Sequence, residues 1–316
     1  MTPQDAAVSL SPEGRRDFAV VVPAFNEAPM IPELIASLRR AFEEFQLDGE
    51  VILVDDGSTD GTAELAEREG EGWANLHVLR HRVNLGKTEA MITAAEATER
   101  EYLVLFDADL QHMPEEIPRF LAKLQEGWDM VVGRKLGAYQ KPVVSGIYNW
   151  LSRRIFNVPV SDLNSMKAFR RSILDELPLR HDWHRFFVVL AHARGYSVSE
   201  IDIQLHPRKA GESKYSGRFR VVVGAMDLIS VWFLLIFSRK PLLLFGFTGT
   251  VLIGLGLLVG AVAFWFRFVE GLGFRPLLYL VILLETVGFL MVGVGLMAEM
   301  VAQLHHEVDT LRRRIR

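Results

Sequence analysis

Residues 241–266 carry no charged side chain. At about 1.5 Å of rise per residue, a helix of that length crosses a hydrocarbon core of about 30 Å. Residues 276–298 form a second apolar run, interrupted only by Glu285. Soluble core helices rarely stay uncharged over more than about 18 residues, so the two runs read as a transmembrane hairpin. A carboxyl such as Glu285 inside a span is either a polar contact between helices or a functional group. Arg218, Arg220, Arg239 and Lys240 precede the hairpin, and Arg312, Arg313, Arg314 and Arg316 follow it. The middle loop carries only Arg267 and Arg275, with Glu270. The positive-inside rule then places both ends of the hairpin in the cytoplasm.

The hairpin divides the chain. Residues 1–17 have no apolar run and read as a disordered or loosely packed N-terminus rather than a signal peptide. The soluble part is therefore expected in the cytosol. Residues 18–216 have the mixed charges of a soluble domain, and the composition shifts near Gly217. Within 217–240, the stretch 221–237 holds Asp227 between Arg220 and Arg239. It spans about 25 Å as a helix and reads as an interfacial helix on the inner leaflet, with a third span as the alternative. In 301–316, Val301, Leu304, Val308, Leu311 and Ile315 repeat at 3-4-3-4 spacing. The seam covers about two heptads, which suits a short helix packed on its own chain or a contact in a homo-oligomer.

Composition removes some classes of function. A net charge of −4 gives no support for nucleic-acid binding. With no cysteine there is neither a disulfide scaffold nor a thiolate metal site, which fits a reducing compartment. No G-x-G-x-x-G follows a strand pattern, so a dinucleotide cofactor is not expected.

The soluble part alternates strand and helix patterns. Short apolar runs at 18–22, 51–54, 76–79, 102–106 and 130–132 read as strands. Helical patterns fill 30–45, the stretch after the Ser58/Thr59/Asp60 capping cluster, 86–98, and a stretch from Pro114. This order predicts an α/β fold with a mostly parallel sheet covered by helices. Ligands of such sheets lie beyond the carboxyl ends of the strands. The polar motifs fall there, at 23–27, 55–61 and 107–111.

Asp107-Ala108-Asp109 follows the strand YLVLF. Alternate residues of an extended segment point the same way, so both carboxylates can face one pocket. Hard oxygen ligands suit Mg²⁺ or Mn²⁺, which share a nucleotide's phosphates and offset charge on a diphosphate leaving group. Asp55-Asp56-Gly57-Ser58-Thr59-Asp60-Gly61-Thr62 is a tight turn with three carboxylates. Its glycines allow close backbone approach to a ligand, and a carboxylate there can accept hydrogen bonds from a base or ribose. A turn with a helix cap accounts for part of that motif, though not for three carboxylates beside a second acidic cluster. His206-Pro207-Arg208-x-x-Gly211-x-Ser213-Lys214-Tyr215 is a basic loop just before the membrane part. Arginine suits bidentate phosphate contact and lysine a point charge; juxtamembrane charge attracted to anionic lipid is the alternative, and the Gly and Ser spacing favours a shaped phosphate loop.

Taken together, Val22-Pro23-Ala24-Phe25-Asn26-Glu27, DDGSTDGT, Asn84-Leu85-Gly86-Lys87 and DADLQHMPEEIP resemble family 2 glycosyltransferases of the GT-A fold. Within them the chain is similar to the dolichol-phosphate mannose synthase branch of polyprenyl-phosphate glycosyltransferases. The resemblance implies that Pro23, Ala24, Phe25 and Glu27 hold the base and ribose, with Asp55, Asp56, Gly57 and Lys87 beside the nucleotide. Phe25 stands where the family commonly has Tyr. The resemblance also implies that Asp107 contacts donor ribose or sugar, and that Asp109 and Gln111, with Asp107, approach the Mg²⁺ or Mn²⁺. Arg134 would lie near phosphates and Asp162 at the acceptor side of the sugar pocket. Arg208, Ser213 and Lys214, with Arg134, would clamp the acceptor phosphate. The expected activity is inverting transfer of a sugar from a GDP- or UDP-sugar to a polyprenyl or dolichyl phosphate at the bilayer. A processive polysaccharide synthase is the nearest alternative, but its Gln-x-x-Arg-Trp motif does not occur in this chain. A non-catalytic nucleotide-sugar-binding scaffold is the other.

Overall fold

The computed structural model describes residues 10–136, 159–206 (except 164, 178, 180–183 and 185) and 241–315 (except 274). It divides into two compact units, residues 1–225 and 226–316.

In the first unit, the elements run β1 (Phe18–Ala24), α1 (Ile31–Glu44), β2 (Glu50–Asp55), α2 (Thr62–Glu69), β3 (Leu76–Arg80), α3 (Lys87–Glu96), β4 (Tyr102–Leu105), α4 (Ile117–Gln125), β5 (Met130–Leu136), β6 (Lys167–Arg170), α5 (Ser172–Glu176), α6 (Phe187–Ala193) and β7 (Val198–Gln204). The sheet order is β3-β2-β1-β4-β6-β5-β7. Strands β1 to β4 pair in parallel, and β5 pairs in parallel with β7. Strand β6 runs antiparallel between β4 and β5. The parallel half matches the strands read from sequence. The apolar runs do not mark β6 or β7.

The central strands are apolar on both faces because helices cover both. Phe18, Ala19, Val20, Val21 and Val22 are all fully buried, which is the pattern of a doubly covered parallel strand. Helix α1 buries Ile31, Leu34, Ile35, Leu38, Ala41 and Phe42, one stripe at helical spacing. Helix α4 does the same with Ile117, Phe120, Leu121 and Leu124. The sheet therefore presents the carboxyl ends of β1, β2 and β4 at one edge, each followed at once by a polar loop.

In the second unit, α7 (Pro241–Phe268) and α8 (Arg275–Ile315) form a hairpin. Both are long and apolar enough to cross a membrane, and few of their residues are buried, unlike core helices of a soluble protein. The helices close on small residues. A Cβ at Gly249 would sit 2.6 Å from the Gly288 carbonyl oxygen, and one at Gly288 would sit 2.9 Å from the Gly249 carbonyl oxygen. Such close backbone contact is how helices associate in lipid, where packing rather than the hydrophobic effect drives them together. Gly256 leaves room for Glu285, whose Oε1 would lie 2.7 Å from a Cβ there. Glu285 therefore packs between the helices, and among the described residues its Oε1 has no hydrogen-bond partner. The Leu242 amide donates to Glu299 Oε2 at 3.2 Å, capping the start of α7 with an acid from α8. Helix α8 continues unbroken through 301–315, and Val301, Leu304 and Val308 of the predicted seam are exposed.

Candidate active site

Three loops meet at the carboxyl edge of the sheet. The loop after β1 turns at Asn26, a left-handed residue with φ 52°. Its amide donates to Ser58 Oγ at 2.8 Å, and its Oδ1 accepts from the Thr59 amide at 2.9 Å. The Glu27 amide donates to Thr62 Oγ1 at 3.0 Å and the Ala28 amide to Asp60 Oδ2 at 3.1 Å. Pro23, Ala24, Phe25 and Glu27 are thereby fixed against the loop after β2.

The three carboxylates of that second loop have structural partners. Asp55 accepts from the Ser58 amide at 3.2 Å, and Asp60 from the Thr62 amide at 3.1 Å. Asp56 is buried and accepts the Leu85 and Gly86 amides, each at 2.8 Å. His81 Nδ1 also lies 2.8 Å from Asp56, and its Nε2 is 2.9 Å from Thr93 Oγ1. A carboxylate accepts only, so Nδ1 carries the proton. Backbone capping thus explains more of the acidic turn than the sequence reading allowed. Asp56 ties the second loop to the Asn84-Leu85-Gly86-Lys87 loop. The close approach that requires Gly57 is likewise to protein. Its φ is +75°, and a Cβ would meet Val83 C at 2.5 Å and Asn84 N at 2.7 Å.

The third loop is the Asp107–Gln111 motif. Lys87, at the start of α3, makes an ion pair with Asp107. Burial pushes the Asp107 carboxyl up, but the Lys87 ammonium beside it more than offsets that and holds it well below the usual carboxylate range. Leu110 takes φ 50°, a left-handed conformation that a branched side chain adopts at a cost, and it turns the chain so that the Gln111 amide donates to Asp109 Oδ1 at 3.2 Å. The Gln111 carbonyl accepts the His206 amide at 2.9 Å. His112 is 4% exposed, and among the described residues its Nδ1 has no hydrogen-bond partner. Burial draws its pKa down to about 4 against the charge of Asp107, so the ring is neutral at pH 7.

Strand β5 carries two neighbouring cations with different partners. Arg134 faces Asp202 across the β5–β7 pair and binds it through two donors, Nε and Nη2, the latter at 2.8 Å. The next side chain along a strand points to the other face. Lys135 there pairs with Asp162 at 3.3 Å, both largely buried. Lys135 is thus the β5 cation paired with Asp162, and Arg134 the one paired with Asp202. Lys167 is a further cation beside them that the sequence reading passed over. Its Nζ donates to the Leu163 carbonyl at 3.1 Å. Burial and the neighbouring Lys87 draw its pKa down to about 7, against Asp107 and Asp162. Arg208, Ser213 and Lys214 lie outside the described residues.

The donor set fits a magnesium-type ion. Asp109 and Gln111 offer hard oxygen atoms, while Asp107 is already paired with Lys87. Among the described residues no three His, Cys, Asp or Glu side chains gather into a ready-made cage. A site with so few protein ligands suits an ion whose shell is completed by phosphates and water.

Residues 19–189 match Glycosyl transferase family 2. The chain belongs to this family. This glycosyltransferase is similar along nearly its whole length to curated relatives. It is 31% identical to the dodecaprenyl-phosphate galacturonate synthase of Rhizobium johnstonii, over 93% of this chain and 90% of the relative. It is 31% identical to the undecaprenyl-phosphate 4-deoxy-4-formamido-L-arabinose transferase of Pseudomonas fluorescens, over 92% of this chain and 86% of the relative. Among solved structures, the glucosyl-3-phosphoglycerate synthase of Mycobacterium tuberculosis, in complex with Mn²⁺, UDP and glucosyl-3-phosphoglycerate, superposes with a TM-score of 0.56. That match has 21% identity and covers 70% of this chain and 80% of that one. The likeness shows the shared GT-A-like fold, and family membership makes this glycosyltransferase an enzyme rather than a non-catalytic scaffold.

Proposed function

We propose that this glycosyltransferase moves a sugar from a nucleotide-diphospho-sugar to a polyprenyl phosphate at the cytoplasmic face of a membrane. The observation that carries this reading is the continuity of the match. The relatives named for prenyl-phosphate transfer align over 92% or more of the chain, a span that must include part of the apolar hairpin. The flanking arginines and lysines support cytoplasmic termini.

The acceptor phosphate needs little or no general base, because a phosphate monoester is already anionic at neutral pH, with a second pKa of about 6. Its oxygen attacks the anomeric carbon, the bond to the diphosphate breaks, and the configuration inverts. The chain's own contribution is positioning and charge. Phe25 and the backbone of 23–27 border the base and ribose, with Asp55 beside them. Lys87 holds Asp107 toward the donor. Lys135 and Asp162 form the far wall, and Arg208, Ser213 and Lys214 take the acceptor phosphate. Mg²⁺ or Mn²⁺, held by Asp109 and Gln111, would neutralise charge on the departing diphosphate.

The test uses the full chain in detergent with undecaprenyl phosphate and a panel of radiolabelled GDP- and UDP-sugars, with and without Mg²⁺ or Mn²⁺. Transfer of label into a lipid-extractable product with at least one donor is expected. Absence of lipid product across the panel overturns the reading.

A further inference from the structure

Helix α8 carries a repeat that neither the hairpin nor the transfer reaction uses. Val287, Val294, Val301, Val308 and Ile315 recur every seven residues. Leu290, Met297, Leu304 and Leu311 fall between them at the 3-4 offset. These are the a and d positions of one heptad register, held over about four heptads. From Val287 to Val308 every one of them is exposed, so the seam faces away from α7. The face of α8 turned toward α7 is a different one, with Gly288, Val292, Gly295 and Glu299 at b and f positions.

Inside lipid an apolar face needs no cover. Past the span the same face becomes a stripe. In 301–316 the seam residues and Ala302 are the only apolar side chains. Helix α8 continues through Ile315, which carries the stripe about 24 Å beyond Glu299. A lone helical segment of that length is marginal in water, and its stability comes from burying its apolar side.

Two features select a second copy of α8 as the cover. Valine or isoleucine at a with leucine at d is the combination that favours two parallel strands. The flanking charges agree. Glu307 is a g position and Arg312 is the e position five residues on, so a parallel pair sets Glu307 of each copy against Arg312 of the other. An antiparallel pair would instead set e against e, which brings Arg312 toward Arg312 or His305. Copies held in one membrane by the same hairpin also leave it on the same side, which makes their helices parallel. We infer that α8 pairs with α8 of a second copy as a parallel, left-handed two-stranded coiled coil that runs from the span into 301–315. The stretch outside lipid supplies the hydrophobic gain and the charge register, and the stretch inside it supplies packing. Anchorage raises the effective concentration of the two helices, which offsets the short length outside lipid. The inference does not depend on the transfer reaction.

The chain has no cysteine, so single introduced cysteines report which positions meet. Val301→Cys, Val308→Cys and Gln303→Cys are made in the full chain, reconstituted at low density in phosphatidylcholine–phosphatidylglycerol liposomes and oxidised with copper phenanthroline. The two seam positions should each give a disulfide-linked dimer, at a yield at least about fivefold above that of Gln303→Cys, a c position whose Cα atoms lie too far apart to bridge. Glu307→Arg or Arg312→Glu, added to Val301→Cys, sets like charges across the seam and should cut that yield by about threefold or more. The two exchanges together restore opposite charges and should restore the yield. Absence of dimer at both seam positions overturns the inference, as does equal linking at Gln303→Cys. Failure of the double exchange to recover what the single exchanges lose overturns it as well.

Discussion

The backbone amide of His206 donates a hydrogen bond to the carbonyl oxygen of Gln111, 2.9 Å away. Gln111 closes the acidic motif after β4, and His206 opens the basic loop that contains Arg208. One backbone contact therefore ties His206, where the proposed phosphate clamp begins, to the motif proposed for the metal. Both ends of that bond are main chain, so side-chain substitution leaves it in place.

The acidic motif should tolerate little. Asp109→Asn keeps the shape of the side chain and its acceptor for the Gln111 amide, but removes the charge. Metal-dependent transfer should fall at least about a hundredfold, in line with the loss of a main electrostatic contact in a transition state. Initial rates across a Mg²⁺ and Mn²⁺ series measure this. Wild-type rates in the variant, or full wild-type activity in excess chelator, would remove the metal from the mechanism.

Neighbouring cations on β5 should separate. Arg134 and Asp202 form a surface pair with side chains 50% and 40% exposed, and such pairs contribute about 1 kcal/mol or less. Arg134→Gln should retain transfer within about threefold, whereas Lys135→Met, which removes the ion pair from the largely buried Asp162, should lose about tenfold or more. Equal losses, or a larger loss at Arg134, would support the phosphate role expected of Arg134.

Gly57→Ala should destabilise the soluble unit by about 2 kcal/mol or more. The residue is left-handed, and the new methyl would strike the Val83–Asn84 backbone. Thermal unfolding monitored by circular dichroism reads the shift. Retained stability with lost nucleotide binding would mean that the glycine serves the ligand instead.

His112 should make the protein acid-sensitive. Its pKa lies near 4 in the fold against 6.5 unperturbed, so the unfolded chain binds the proton more readily between those values. Stability from keeping the ring neutral is complete above about pH 6.5 and is lost as pH falls toward 4. At pH 5.5 the loss is about 1.4 kcal/mol. Comparison of melting temperatures for wild type and His112→Asn from pH 7 to pH 5 should show the wild type losing ground to the variant. Parallel curves would contradict it.

The parallel half of the sheet was legible because each strand is an unbroken apolar run ended by a turn. Strand β6 was not, because its Lys-Ala-Phe-Arg sequence buries a charge, and hydrophobic patterning assigns a lysine to the surface. Strand β7, Val-Ser-Glu-Ile-Asp-Ile-Gln, hides its two isoleucines among polar residues for the same reason. The site motifs were found by position at strand ends. The division of labour inside them was not, since Asp56 meets its amide donors 29 and 30 residues further along the chain. Nor could the phase of β5 be read. Met130 to Gly133 are buried without alternation, so nothing in the sequence says which of Arg134 and Lys135 faces the pocket.

The Glu299 cap on Leu242 also sets a length. Measured from that contact, α7 climbs 26 residues to Phe268 and α8 descends 24 to Arg275, each arm about 36–39 Å at helical rise. A hydrocarbon slab of about 30 Å leaves several ångströms of each arm outside it. Excess length on the Leu242 side of such a slab would place the latch between the two helices at headgroup depth, where a carboxylate meets water. Together with the Gly249–Gly288 backbone contact it fixes the register of the two helices, so the hairpin would act as a ruler of set length that membranes of different thickness meet by tilt.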